Sequence, residues 1–262
     1  MNLIDISAQI SNKKKLAGLG ILALLTLTGG SIFLLFFTYS VSGKVTDIAS
    51  KEPIQGVKVD IAGISRNTDA QGNYKIAGLR LYQRKDLEVS VPSQYEEMAK
   101  IHFDYKSRNI QKNLEIVPTL EEIVNREKIA LKNGQYDYLW DLMHPDDKAY
   151  WGSKEDYKTI LGERRKVGME LNIYRIKSMT LGKNIRKLNA WKSKVTNKEY
   201  KEVMEVPIES VYITEGNETP ETTLDYYQMV DGFYHYFTST KKDELKKLLE
   251  DYRKLKETVN PN

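Results

Sequence analysis

The sequence predicts a membrane-anchored protein with two folded domains, the first all-β and the second α+β. Three features predict it: an apolar segment near the N-terminus, short alternating strands after it, and then a stretch in which helices precede long strands. The predicted order is a tail at 1–15, a transmembrane helix at 16–37, a β-sandwich at 41–117, an α+β domain at 118–240 and an amphipathic helix at 241–262.

The anchor is predicted from 22 uncharged residues, Leu16–Phe37, that follow Lys13, Lys14 and Lys15 directly. As a helix this segment spans about 33 Å, close to the ~30 Å thickness of a hydrocarbon core. Because lysine excess marks the cytoplasmic side, we expect a single-pass protein of the cell membrane with an inner N-terminus and extracytoplasmic domains. A cleaved signal peptide is the alternative, but its apolar region is shorter and Thr38-Tyr39-Ser40 fits its cleavage site poorly.

The composition of the chain excludes several classes of function. The chain has no cysteine, which excludes disulfides, thiolate metal sites and a cysteine nucleophile. The net charge is +4, of which residues 41–262 carry only +2, so this part is nearly balanced and we expect no binding of nucleic acid. No phosphate-binding glycine loop, nucleophile elbow or histidine-rich motif is present, and we expect neither a cofactor nor a metal.

The first domain is predicted from apolar residues that alternate with polar ones. Val57, Val59 and Ile61 alternate in this way, and a turn cluster at 68–73 follows them. Gly56 and Gly72 are expected to supply turn backbone that other residues avoid. The ordered segments that carry a family resemblance are Ser42–Asp47, Pro53–Val59, Thr68–Leu79 and Leu87–Val91.

These segments resemble the carboxypeptidase regulatory-like domain, whose family has a transthyretin-like sandwich of seven strands. The resemblance covers roughly 75 residues. Domains of this family are accessories without catalytic residues of their own. The resemblance therefore implies a spacer or a binding module.

The second domain is predicted to begin with helices and to end with long strands. Thr119 and Glu122 form a capping-box pattern at the start of a helix. Gly134 is a natural end for this helix. A short helix at 136–143 and another that begins at Ser153 follow. After Gly168 the period changes to two, which predicts strands at 169–173, 187–195, 200–212 and 223–237, the last folded at Asp231-Gly232.

This order, three helices and then a curved antiparallel sheet, resembles the NTF2-like cone fold. The points of similarity are Gly134–Asp146, the helix start at Ser153–Tyr157, and Met229–Tyr234. The fold hosts enzymes as well as non-catalytic modules, so the resemblance implies no particular activity.

Histidines are the candidate acid–base residues. His144 with Asp146 and Asp147 is one possible set, although a helix end explains the same three residues. His235 shares a strand face with Phe233 and Phe237, where it either lines the cone or is an ordinary core residue. His102, beside Asp104 in the first domain, has no third metal ligand near it in sequence.

A small-ligand pocket is possible where aromatic residues gather late in the chain. Its candidate lining residues are His235, Tyr227, Phe233 and Phe237. The same residues suit the core of a curved sheet. Asn217-Glu218-Thr219 is a glycan acceptor pattern that we place on a loop.

The C-terminal helix carries an apolar stripe of coiled-coil spacing. The stripe consists of Leu245, Leu248, Tyr252, Leu255 and Val259. It either packs on its own domain or docks a protein partner.

Taken together, these patterns favour a non-catalytic binding or scaffold protein of the cell envelope, held by a single-pass anchor, whose small-molecule ligand is unknown. One alternative is an NTF2-like hydrolase or isomerase that uses His235 or His144 with a carboxylate. Another is an accessory subunit of a larger membrane assembly.

Overall fold

The computed structural model describes residues 37–83, 85–105, 107–171, 175–214 and 216–259. The predicted transmembrane helix at 16–37 and the tail before it lie, except for Phe37, outside the described residues. Within the described part, no helix combines the length and the apolar character that crossing a membrane requires.

The chain divides into two compact units. Of the described residues, the first contains those up to Thr46 together with those in Glu52–Pro92 and Glu97–Glu115. The second contains Ile116 onward, together with two short segments, Asp47–Lys51 and Ser93–Glu96. The sequence did not predict that these two segments belong to the second unit.

The first unit consists of two sheets of four strands, although the last residues of two of these strands, Asp47 and Ile116, are grouped with the second unit. One sheet contains β1 (Thr38–Asp47), β4 (Asn73–Arg80), β7 (Asn109–Gln111) and β8 (Leu114–Ile116), in the order β4-β1-β7 with β8 also paired to β1. The other contains β2 (Lys58–Ile61), β3 (Ile64–Asn67), β5 (Asp86–Ser90) and β6 (Ile101–His102), in the order β3-β2-β5-β6.

The core of this unit is built from the alternating residues that the sequence singled out. Val41 and Ile76 of one sheet and Val59 and Leu87 of the other are fully buried, which is the arrangement of a β-sandwich. Neighbouring residues on each strand face outward because successive side chains in a strand point to opposite sides. The β-rich prediction for this part of the chain is confirmed.

One turn shows why its residues are needed. Gly72 has a φ of +75°, and a Cβ at this position would lie 2.5 Å from the carbonyl oxygen of Val45. Asp69 accepts hydrogen bonds from the backbone N–H groups of Gln71 and Asn73 at 3.0 and 2.7 Å. The side chain therefore closes its own turn, and the glycine lets the turn approach β1.

The second unit begins with four helices and ends with a fifth. They are α1 (Leu120–Asn133), α2 (Tyr136–Leu142), α3 (Pro145–Trp151), α4 (Lys154–Glu170) and α5 (Lys242–Val259). Thr119 caps α1 and Ser153 caps α4, and Gly134 ends α1 in the left-handed region with a φ of 72°. Of the expected capping box, only the Thr119 half forms, because the Glu122 carboxylate accepts from Arg126 instead.

Between α4 and α5 lies an antiparallel sheet. It contains β9 (Arg175–Leu181), β10 (Arg186–Leu188), β13 (Val203–Thr214), β14 (Asn217–Val230) and β15 (Phe233–Tyr236), and a small separate pair is formed by β11 (Trp191–Lys192) and β12 (Glu199–Tyr200). The Asp231-Gly232 turn joins β14 to β15 with positive φ at both residues, as a two-residue hairpin requires. The core contains residues from α1, α2 and α4 and from the inner face of the sheet.

Several predicted boundaries are wrong. Four helices instead of three precede the sheet, because α3 was not predicted, and β9 was not predicted either. In place of one strand at 187–195 the structure has the short β10 and β11. Helix α4 runs to Glu170, so Met169 lies in a helix and not in a strand, because Glu163–Lys166 are good helix formers and Gly168 alone does not end it. Asn217–Thr219 lie at the start of β14, paired with Tyr212–Thr214, and not in a loop. The hairpin of β13 and β14 was missed because the predicted strands stopped on either side of it.

Candidate functional site

His144 lies at the start of α3, where it caps the helix. Its Nδ1 accepts a hydrogen bond from the backbone N–H of Asp146 at 3.2 Å, so the proton is on Nε2, which donates to Oε1 of Gln228 at 3.0 Å. The ring stacks on Phe237 with 4.2 Å between centroids. The side chain is buried, and this burial lowers the pKa of His144 below its ordinary value.

The two aspartates after His144 are used elsewhere. Asp146 accepts from Lys198 at 2.9 Å and from the Tyr200 hydroxyl at 2.7 Å. Oδ2 of Asp147 accepts from the backbone N–H and the hydroxyl of Thr238, at 2.6 and 2.7 Å. The three residues of the proposed acid–base set therefore lie at the start of α3, and Asp147 links this helix to Thr238. Neither carboxylate accepts a hydrogen bond from the imidazole.

His235 lies on β15 and is buried. A carbonyl only accepts, so Nδ1 carries the proton and donates to the Met143 oxygen at 3.3 Å. Burial, reinforced by the charge of Lys148, lowers the pKa of His235 to about 4. Its Nε2 is buried and has no hydrogen-bond partner among the described residues, as is also the case for Asp147 Oδ1 and Trp151 Nε1.

The other candidate pocket residues belong to two hydrophobic clusters of the second unit. Tyr227 is fully buried in the main core, whereas Phe237 belongs to a smaller cluster with Tyr200 and Val203. Phe233 is half-buried and lies beside the His235 ring at 4.1 Å. His102, in the first unit, is exposed and lies 2.8 Å from Asp86, not from Asp104.

A buried ionic cluster in the second unit was missed by the sequence analysis. Lys128 lies between the carboxylates of Glu127, at 2.6 Å, and Asp225 of β14. The Tyr227 hydroxyl donates to Glu127 at 2.5 Å. Burial raises the pKa of Glu127, while the two carboxylates outweigh burial and raise the pKa of Lys128. Glu127 falls on the apolar face of α1, three residues after Val124, and that spacing is the signal that could have revealed it.

The C-terminal helix packs on its own unit, along α4. Leu245 and Leu249 are buried, Leu248 and Tyr252 are half-buried, and Leu255 is 45% exposed. The side chain of Val259 lies outside the described part. The buried stripe thus differs from the predicted one, because the face of α5 that is buried is set by its packing on α4. Ion pairs between the helices support this packing: Lys242 with Asp156, Arg253 with Glu163 and Lys256 with Glu170.

A cavity of about 300 Å³ lies where α1 and α4 end and β9 begins. Four cationic side chains line it, namely Lys132, Arg164, Arg165 and Arg175. The remaining wall is largely apolar and includes Leu131, Leu161 and Met169. Among the residues described around it there is no carboxylate, and across the described residues no group of three or more acids and histidines is placed to hold a metal ion.

Comparisons with known proteins give little further guidance. No family model matches the chain, and no curated protein matches it. A crystal structure from Bacteroides fragilis NCTC 9343, provisionally described as a membrane-associated protein of unknown function, aligns with 73% of this chain and 99% of that chain. The two are 11% identical, and the TM-score of 0.24 supports no conclusion about fold or function.

Proposed function

We propose that this chain is a non-catalytic binding protein of the cell envelope, held in the membrane by residues 16–37 with its two units outside the cell. The anchor rests on the uncharged segment and on the lysines before it. The family assignments, carboxypeptidase regulatory-like for the first unit and NTF2-like for the second, rest on the sequence motifs. Two four-stranded sheets, and helices followed by an antiparallel sheet, are compatible with them.

One observation carries the non-catalytic part of the proposal. His144 and His235 are both buried, burial lowers the pKa of each ring, and the nearby carboxylates of Asp146 and Asp147 accept from other donors. A histidine that acts as general acid or base exchanges a proton with a substrate at near-neutral pH. These two rings have neither the access nor the partner for that role.

Histidine titration in the full-length chain tests this reading. Ring NMR signals of His235 are expected to stay those of a neutral imidazole from pH 7 down to about 5, since its pKa is about 4. Burial lowers the pKa of His144 as well. In the unfolded chain both rings take up a proton near their ordinary pKa of about 6.5, so the folded state should lose stability as pH falls below that value. If the His235 ring instead titrates between pH 6 and 7 with fast exchange to water, the result would support the enzyme alternative.

A further inference from the structure

The cavity at the ends of α1 and α4 is lined by several cationic side chains. Arg165 and Arg175 line it, and within the described residues neither forms an ion pair with a carboxylate. Elsewhere in the unit, exposed cations are commonly paired, as Lys158 is with Asp137 and Lys187 with Glu202. Arg165 and Arg175 therefore bring positive charge to the cavity that no described carboxylate pairs with.

The side chain of Arg165 lies beside the end of α1. Its guanidinium lies over Gly134, where an added Cβ would be 2.3 Å from Nη1. The last carbonyls of a helix favour a cation at this position. A glycine here thus serves two purposes, since it ends the helix in the left-handed region and leaves room for the arginine beside the cavity.

The rest of the lining is largely apolar. Leu161 and Met169 lie on the same face of α4 as Arg165, one turn to either side of it. Leu161 and Tyr136 are half-buried, and the Tyr136 hydroxyl donates to the Leu161 carbonyl at 3.2 Å. Met169 is 55% exposed at the rim. A flexible, polarisable methionine at a binding surface adapts to irregular apolar groups.

We propose that this cavity binds a small anionic amphiphile, with its carboxylate or phosphate head on Arg165 and Arg175 and its apolar part against Leu161 and Met169. Guanidinium groups suit such heads because their planar N–H donors match two oxygens at once. The size, about 300 Å³, lies at the lower end of ligand pockets. The inference rests on the proposed function, in that it names the class of ligand which the binding protein would hold.

Calorimetry on the full-length chain in phosphatidylcholine nanodiscs tests the site, with empty discs as the blank. The probes are hexyl phosphate, heptanoate, inorganic phosphate and hexanol. One of the two amphiphiles is expected to bind at one site per chain at least about tenfold more tightly than inorganic phosphate or hexanol. The better amphiphile tells whether the head is a phosphate or a carboxylate, and rising salt should weaken its binding.

Variants then locate the binding. Arg165→Gln with Arg175→Gln is expected to weaken it at least about tenfold, and Met169→Glu, at an exposed position, should weaken it as well without unfolding the chain. The matched control is Arg66→Gln with Lys183→Gln, which removes two exposed charges elsewhere and should leave binding unchanged. Equal binding by the arginine variant and the control would overturn the site, as would the absence of saturable binding by either amphiphile.

The same samples distinguish failure of the proposed site from failure of the proposed non-catalytic function. Probe recovered intact by mass spectrometry after binding agrees with both. Conversion of a bound amphiphile to a product, lost in the arginine variant, would keep the site but refute the non-catalytic function. Absence of binding in a folded chain refutes the site alone.

Discussion

At the scale of residues, the second unit keeps a cluster of ionisable side chains out of water. Glu127, Lys128 and Tyr227 are all less than a tenth exposed, and Asp225 completes the cluster from β14. Burial of charge is costly unless each group is paired and hydrogen-bonded, and here each one is. The cluster links α1 to the sheet, so its strength is expected to appear in the stability of this unit.

Tyr227→Phe tests that link. It removes the hydroxyl that donates to Glu127 and leaves a buried carboxylate short of one hydrogen bond. We expect the free energy of unfolding to fall by about 1–3 kcal/mol, measured by chemical denaturation. Tyr150→Phe is the matched control, because Tyr150 is 37% exposed, and it should change stability by less than about 0.5 kcal/mol. Equal stability of the two variants would show that the cluster does not hold the sheet to α1.

At the scale of elements, the turn at 68–73 and the helix α5 give the clearest expectations. Gly72 and Gly56 both have positive φ, 75° and 79°, but only Gly72 has backbone within reach of an added Cβ. Gly56→Val should therefore cost only backbone strain, about 1–3 kcal/mol. Gly72→Val should cost distinctly more, since the valine also meets the Val45 carbonyl. Thermal unfolding of the two variants measures the difference, and a Gly72→Val chain as stable as Gly56→Val would contradict the close approach.

Helix α5 gives a second comparison. Leu249→Asp places a charge in the contact with α4, where the leucine is 5% exposed, and we expect a loss of more than about 2 kcal/mol. Leu255→Asp, at 45% exposure, should change stability by less than about 0.5 kcal/mol. A result in the opposite order would restore the predicted stripe, in which Leu255 is buried.

These elements also show what the sequence could reveal. Local signals were sufficient for the helix starts at Thr119 and Ser153 and for the Asp231-Gly232 turn, because each depends on the residues of one short segment. They were insufficient for the stripe of α5, where Leu249 was missed, because the choice of face depends on α4. The neutral state of His235 was likewise out of reach, since it depends on burial by residues distant in the chain.

At the scale of the whole molecule, one part of the chain is proposed to anchor it and another part to bind its ligand. Residues 16–37 are proposed to hold it in the membrane, and the units outside are proposed to bind rather than to transform a ligand. The two buried histidines are the residues on which an enzyme of this architecture would depend. Their removal therefore bears on the whole account.

The most direct measurement is complementation of a deletion strain by the full-length chain carrying both His144→Asn and His235→Asn. Asparagine is a good helix N-cap and can donate to the Met143 carbonyl, but it cannot exchange protons as imidazole does. The Leu249→Asp chain serves as the control for loss by unfolding, and the amount of each chain in the membrane fraction is measured in parallel. The account predicts that the double variant, present at the normal level, restores the wild-type phenotype. A stable, membrane-bound double variant that behaves like the deletion would contradict it and identify the region around His144 and His235 as a catalytic site.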